Sequence, residues 1–203
     1  MAETTTPDIT IVPANEASWE HLQTVFGTRG ARAQCQCSRY KMQPGESWAS
    51  VGLEELAFRL RADTNGGHPE SDATSGLVAY LDGEPVGWCA VEPRTTYPRL
   101  LLKTRVPWEG RAEEKNDESV WAVTCFVTRA GFRRRGISRA LAQATVDYAR
   151  QQGARALEAY PMTTSQGALD VELHVGLRNV FADAGFTEVS RPTVRRVVMR
   201  IDF

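Results

Sequence analysis

The sequence predicts an α/β (α+β) fold, a mixed and mostly antiparallel sheet flanked by helices. Three observations carry that prediction. Residues 77–81 and 85–91 are apolar runs on either side of Asp82-Gly83-Glu84, and Asp-Gly between two such runs signals a hairpin. Residues 120–127 form an almost unbroken apolar run, followed by an amphipathic helical stripe and a further apolar run at 156–160, which together read as a β-α-β unit. Residues 186–189 and 194–201 then make a closing pair of strands.

Taken in order, residues 9–12 alternate weakly and read as a first strand closed by Pro13. Asn15 is placed to cap a helix with Trp19, Leu22, Val25 and Phe26 on one side, ending near Gly27. Residues 28–47 show no clear period. Leu53, Leu56, Ala57 and Leu60 make a helical stripe that stops at Asn65-Gly66-Gly67, and a loop runs on to Ser75. After the hairpin, residues 92–119 are polar and irregular, a length usually functional or disordered in a compact domain. The unbroken run at 120–127 implies a strand covered on both faces. The next helix carries Ile137, Ala140, Leu141, Ala144, Thr145 and Tyr148, with Gly153 as its stop. A last helix is expected across Leu173, Gly176, Leu177, Val180, Phe181 and Ala184, ending at Gly185.

A chain of 203 residues fits a single domain, 1–203. Hydrophobic residues at 42% and charged residues at 24% are ordinary for a soluble globular protein. The net charge of −1 provides no global field for nucleic acid or membrane, so neither is an expected partner. No apolar run approaches the ~20 residues that span a bilayer. The opening residues lack the basic and apolar regions of a secretory signal, so a cytoplasmic location is expected. Cys89 and Cys125 lie inside apolar strands and read as small hydrophobes. Cys35-x-Cys37 is spaced more tightly than a zinc knuckle and has no neighbouring His, so no metal is expected.

The most informative segment runs from Phe126 through Leu141, where an arginine- and glycine-rich turn joins the central strand to a helix. Such a turn aims backbone N–H groups and the positive end of a helix dipole at one spot, which suits a phosphate. The spacing Arg133-x-x-Gly136-x-Ser138, together with the element order, resembles the acyl-CoA pyrophosphate loop of the GNAT superfamily of N-acetyltransferases. A Gly-Phe after the last helix, here Gly185-Phe186, adds support. Ser138 departs from the usual Gly or Ala but is small enough to leave the backbone accessible. The run from Val127 to Arg133 looks one residue longer than the common pattern, which suggests a bulge.

The resemblance implies a sheet whose parallel fourth and fifth strands splay apart, with acetyl-CoA as co-substrate. The pantetheine arm would bond to the main chain of Phe126, Val127 and Thr128. The amides from Arg134 through Ser138, including Gly136 and Ile137, would cradle the pyrophosphate; Arg133 matches the motif's first position, and Arg134, Arg135 and Arg139 would pair the 3′-phosphate or pyrophosphate. An acceptor amine with pKa ~10.4 must lose a proton, a penalty of roughly 4–5 kcal/mol at neutral pH. Glu118 is the first candidate base, followed by Glu92, Glu158 and Asp117. Many GNAT enzymes place a tyrosine acid four residues before the Gly-Phe. This chain has Phe181 there, so Tyr160 is the candidate acid. Cys35, Cys37, Tyr40, Trp88 and Arg94 are expected to line the acceptor pocket, with Arg39 also on its rim.

These readings converge on acetyl transfer from acetyl-CoA to the primary amine of a small molecule, by direct attack in a ternary complex, in a monomer or homodimer. The alternative is a non-catalytic acyl-CoA-binding regulatory module, which the phenylalanine at 181 favours.

Overall fold

A computed structural model describes residues 8–203; the signal-sequence reading rests on a segment that lies almost wholly outside them. β1 (Ile9–Pro13) leads into α1 (Trp19–Phe26), α2 (Gly30–Cys35), the short turn α3 (Trp48–Val51) and α4 (Leu53–Thr64). The hairpin β2 (Gly76–Leu81) and β3 (Glu84–Pro93) precedes α5 (Pro98–Lys103) and β4 (Val120–Thr128). Then follow α6 (Ile137–Gln151), β5 (Ala156–Ala159), α7 (Arg178–Asp183), β6 (Thr187–Ser190) and β7 (Val198–Asp202). The seven strands form one sheet in the order β1-β2-β3-β4-β5-β7-β6, antiparallel except for the β4–β5 pair. No helix among the described residues is long and apolar enough to cross a membrane.

The local chemistry accounts for most of these elements. Asp82 and Gly83 both take positive φ, as the tight turn between β2 and β3 requires. β4 is buried at every position from Val120 to Val127, because α6 covers one face and α1 with its neighbours covers the other. One core cluster packs Ile137, Leu141 and Val146 of α6 against Leu77, Cys89 and Val123. A second packs Leu22, Val25 and Phe26 of α1 against Trp88, Cys125 and Val127. At roughly 1.5–3 kcal/mol for each large apolar side chain fully buried, these two layers dominate the stability of the fold.

Four expectations change. Ser18, not Asn15, caps α1 by accepting the His21 amide. Asn15 is buried instead and donates to the Ser71 carbonyl at 2.9 Å, tying down the loop before β2. The last helix is shorter than its apolar stripe, because Gly176 adopts φ +76 and separates a short turn at Leu173–Val175 from α7. A Cβ at Gly176 would come within 2.9 Å of Phe181 and 3.2 Å of Phe126, so the break lets this segment press against β4. β7 starts at Val198, later than the apolar run suggests, and the irregular stretch 92–119 contains α5.

Candidate functional site

β4 and β5 pair only over Val120–Val123 and Ala156–Ala159, and then separate. The Arg129 amide donates to the Val86 carbonyl. In an antiparallel ladder alternate residues face the same partner, so Val127 and Cys125 turn their main-chain groups toward β3. Phe126 and Thr128 therefore present theirs to the opening, and the expectation that all three would is corrected to these two. The Thr128 carbonyl already accepts a 2.6 Å hydrogen bond from Arg32.

Beyond β4 the chain turns through Arg129–Gly136. Phe132 anchors the turn by packing on the core, with the guanidiniums of Arg129 and Arg135 each 5.2 Å from its ring centre. Arg134 takes φ +62 and Gly136 φ +83. α6 begins at Ile137 with no side-chain cap, which leaves its first amides to an outside acceptor. Arg133 pairs with Asp170 at 3.1 Å and Arg139 with Asp183 at 2.6 Å. Both pairs are largely exposed, so they cost little to exchange for a phosphate. Arg134 and Arg135 have no carboxylate partner among the described residues. The register shift expected in the turn lies instead in the β3–β4 ladder, between Ala90 and Val91, opposite Thr124.

Two clefts take part of their lining from residues 36–43, Arg39 and Tyr40 in one and Cys37, Lys41 and Met42 in the other. Their volumes are about 510 and 650 Å³. Cys37, Lys41, Trp88 and Glu92 line the smaller. Gln36 and Cys37 both have positive φ, which presents the Cys37 thiol to β4. Cys125 and the Trp88 indole N–H, the latter at 3.2 Å, both donate to Cys37 Sγ. The bond from Cys125 lowers the Cys37 pKa despite burial, and the same bond raises that of Cys125. Burial pushes the Glu92 carboxyl up to about 7, although Lys41 pulls it back. Lys41 Nζ is 2.7 Å from Glu92 Oε2 but outside hydrogen-bond geometry, and that oxygen lacks a donor among the described residues. The buried Tyr97 hydroxyl lies beside Glu92 and Thr124.

The larger cleft lies at the C-terminal end of β5. Tyr40, Met162 and His174 line it, with Arg39 and other cations at its edge.

Several predicted site residues lie elsewhere. Glu118 is exposed at the N-terminal entry to β4, a nine-residue strand that at about 3.3 Å per residue puts it roughly 30 Å from the arginine turn. It makes no side-chain hydrogen bond among the described residues. Tyr160 is wholly buried, and its hydroxyl donates to Glu158 Oε2 at 2.9 Å. Burial, with the Glu158 charge, raises its pKa well above the ordinary value, and the hydroxyl is spent on Glu158 rather than turned to the opening. Arg94 is also enclosed: it stacks 5.0 Å from the Trp108 ring centre and reaches Glu158 and the Glu114 carbonyl rather than a pocket rim. Cys35 is half-buried and lines neither cleft. Glu158 is the hub of the enclosed cluster. Burial alone would raise its pKa, but Arg111 at 2.5 Å and Arg200 at 2.7 Å, with Arg94 beside them, hold it below the usual range.

This assignment gives a clear expectation for Tyr160→Phe. The variant loses one hydrogen bond to a buried carboxylate, about 1.5–3 kcal/mol of stability by denaturant melt. Any acetyl-transfer kcat should stay within about twofold, since the hydroxyl faces the core rather than the opening.

The described residues thus form a mixed sheet whose one parallel pair parts in front of an arginine turn. The acetyltransferase (GNAT) family model matches residues 40–173, and the chain belongs to that family. No curated protein matches it in sequence. Among solved structures it is similar to an N-acetyltransferase from Staphylococcus aureus Mu50, with 11% identity, 96% of this chain and 98% of that one covered, and a TM-score of 0.53. The GNAT domain of PAT from S. lividans shares 17% identity over 98% of this chain and 92% of that one, with a TM-score of 0.51. yncA from Salmonella typhimurium, solved with its cofactor acetyl-CoA, shares 15% identity over 96% and 93%, with a TM-score of 0.50. At these identities the likeness is one of fold.

Proposed function

We propose that this protein transfers an acetyl group from acetyl-CoA to the primary amine of a small molecule, by direct attack in a ternary complex. The observation that carries this reading is the uncapped start of α6 behind Arg133–Gly136, placed where β5 leaves β4. Amides from Arg134 through Ser138 would hold the pyrophosphate, with Arg134 and Arg135 free to pair it and Arg133 and Arg139 released from their acids. Pantetheine would bond along the edge at Phe126 and Thr128, displacing Arg32 from the Thr128 carbonyl.

Glu92 replaces Glu118 as the base. A pKa of about 7 matches the task of removing an ammonium proton near neutrality. Burial, with Arg39 beside it, pushes His174 down to about 4, too low to hold that proton. Glu92 lines the smaller cleft and not the larger, so a proton from an amine held in the larger cleft would reach it by way of water. With Tyr160 engaged in the core and Phe181 lacking a hydroxyl, CoA leaves as a thiolate, which a thiol pKa of ~8.5 permits.

Calorimetric titration with acetyl-CoA, followed by assay of free CoA with and without amines, tests this. Micromolar binding with amine-dependent release is the expected result. Binding without release from a broad amine panel would identify the regulatory module instead. One equivalent of CoA released without amine would place the acetyl group on a protein thiol, with Cys37 the candidate.

A further inference from the structure

The larger cleft carries a concentration of positive charge that the mechanism does not use. Arg39, Arg99, Lys103, Arg195 and Arg196 all line it, contributed by segments far apart in sequence. Elsewhere among the described residues most arginines pair with a carboxylate, Arg59, Arg111, Arg139 and Arg178 among them. Here only Arg195 has such a partner, Glu172 at 3.0 Å. Arg39, Arg99, Lys103 and Arg196 face no carboxylate within ion-pair distance among the described residues. Arg39 is held 5.0 Å from the Trp48 ring centre, and Arg99 rests against Met42 Sδ at 3.5 Å, so both guanidiniums are positioned by packing. Arg196 is fixed by two hydrogen bonds to the Tyr160 carbonyl, at 2.6 and 3.1 Å.

His174 adds an independent observation. Its Nδ1–H donates to the Val171 carbonyl at 2.8 Å, which leaves Nε2 as a lone-pair acceptor with no partner among the described residues. The cleft therefore combines uncompensated cations with an acceptor that lacks a donor. Like charges confined at a concave surface concentrate their field on what enters, and a volume of about 650 Å³ suits a small molecule.

We propose that the acceptor is an amine carrying an anionic group, a carboxylate or a phosphate, held by Arg39, Arg99, Lys103 and Arg196. The identification of that ligand as the acceptor rests on the acetyl-transfer reading above; the anion site itself does not. Planar guanidiniums match both anions, and neither is distinguished by the residues present.

The test uses matched amines on the full chain. The anionic probes are 3-aminopropyl phosphate and β-alanine; the neutral counterparts are 3-aminopropanol and β-alanine amide. Each is added alone at millimolar concentration and the melting temperature read, and then CoA release is measured with acetyl-CoA present. An anionic probe should raise the melting temperature where its neutral counterpart does not, and its kcat/KM should be at least tenfold higher. Whichever of phosphate and carboxylate gives the larger effects identifies the anion. The double variant Arg99→Glu, Lys103→Glu alters an exposed side chain and a half-buried one at the cleft edge, remote from the arginine turn. It should keep its acetyl-CoA affinity, lose the anion-dependent shift, and lose the anionic preference at least tenfold, chiefly through KM. A melting shift without CoA release from any amine would sustain the anion site and overturn acetyl transfer. Equal or better use of neutral amines, absence of any anion-dependent shift, or an acetyl-CoA-binding variant that retains the preference would overturn the proposal.

Discussion

Gly136→Glu is expected to raise the Kd for acetyl-CoA at least about 100-fold, read by calorimetry. Two effects combine. Gly136 has φ +83, where a residue with a Cβ costs about 1–2 kcal/mol, so the first turn of α6 would be distorted. A carboxylate would also stand at the uncapped helix start proposed to receive the pyrophosphate, opposing an anion where the amides favour one. No neighbour obstructs the Cβ itself, since the nearest atom is Ile9 Cδ1 at 4.0 Å. Gly136→Ala separates the contributions: it keeps the strain and omits the charge, and should weaken binding by about tenfold or less. Undiminished affinity in the glutamate variant would remove the arginine turn from the cofactor site.

Glu92→Gln is the second large effect. A general base contributes typically 10²–10⁴-fold, so kcat at saturating acetyl-CoA and amine should fall by that range while acetyl-CoA affinity holds. The wild-type kcat should rise with pH through about 7, as Glu92 ionises, and the variant should lose that limb. A stability measurement supplies an independent check. The folded-state pKa lies above the unfolded value of ~4.3, so the folded chain binds this proton more tightly. The resulting stabilisation is full below about pH 4 and is lost as pH rises toward about 7. Glutamine removes that dependence, while Lys41 keeps Asp63 at 2.8 Å. The melting temperature of the variant relative to wild type should therefore climb between about pH 5 and pH 8. A retained kcat would exclude Glu92 as the base, whatever the melting curves show.

The arginine turn proposed to hold the cofactor was legible because its geometry is local. An apolar strand, a turn with Gly136 at positive φ and an amphipathic helix are contiguous, so residues 126–141 specify the geometry and its basic character together. The hairpin at Asp82-Gly83 was legible for the same reason. The acceptor side was not. Arg94 and Arg39 look equivalent as arginines in irregular segments, yet one is sealed beneath Trp108 against Glu158 and the other borders a cleft. Tyr160 ends a strand in the manner of a site residue, but the alternation of β5 places its hydroxyl on Glu158, two residues back.

The candidate base shows the same division. Glu118 and Glu92 are both carboxylates near the ends of apolar strands, and position along the chain favours Glu118. Burial decides otherwise: packing from α4 and residues 37–42 desolvates Glu92, while Glu118 stays in water. By itself the sequence determined the order of elements, the hairpin and the arginine turn, because backbone conformation and side-chain periodicity act over a few residues. Only the tertiary structure decided which carboxylate is desolvated, which arginines are neutralised and which remain free around the cleft, because solvation and ion pairing depend on groups brought together from distant parts of the chain.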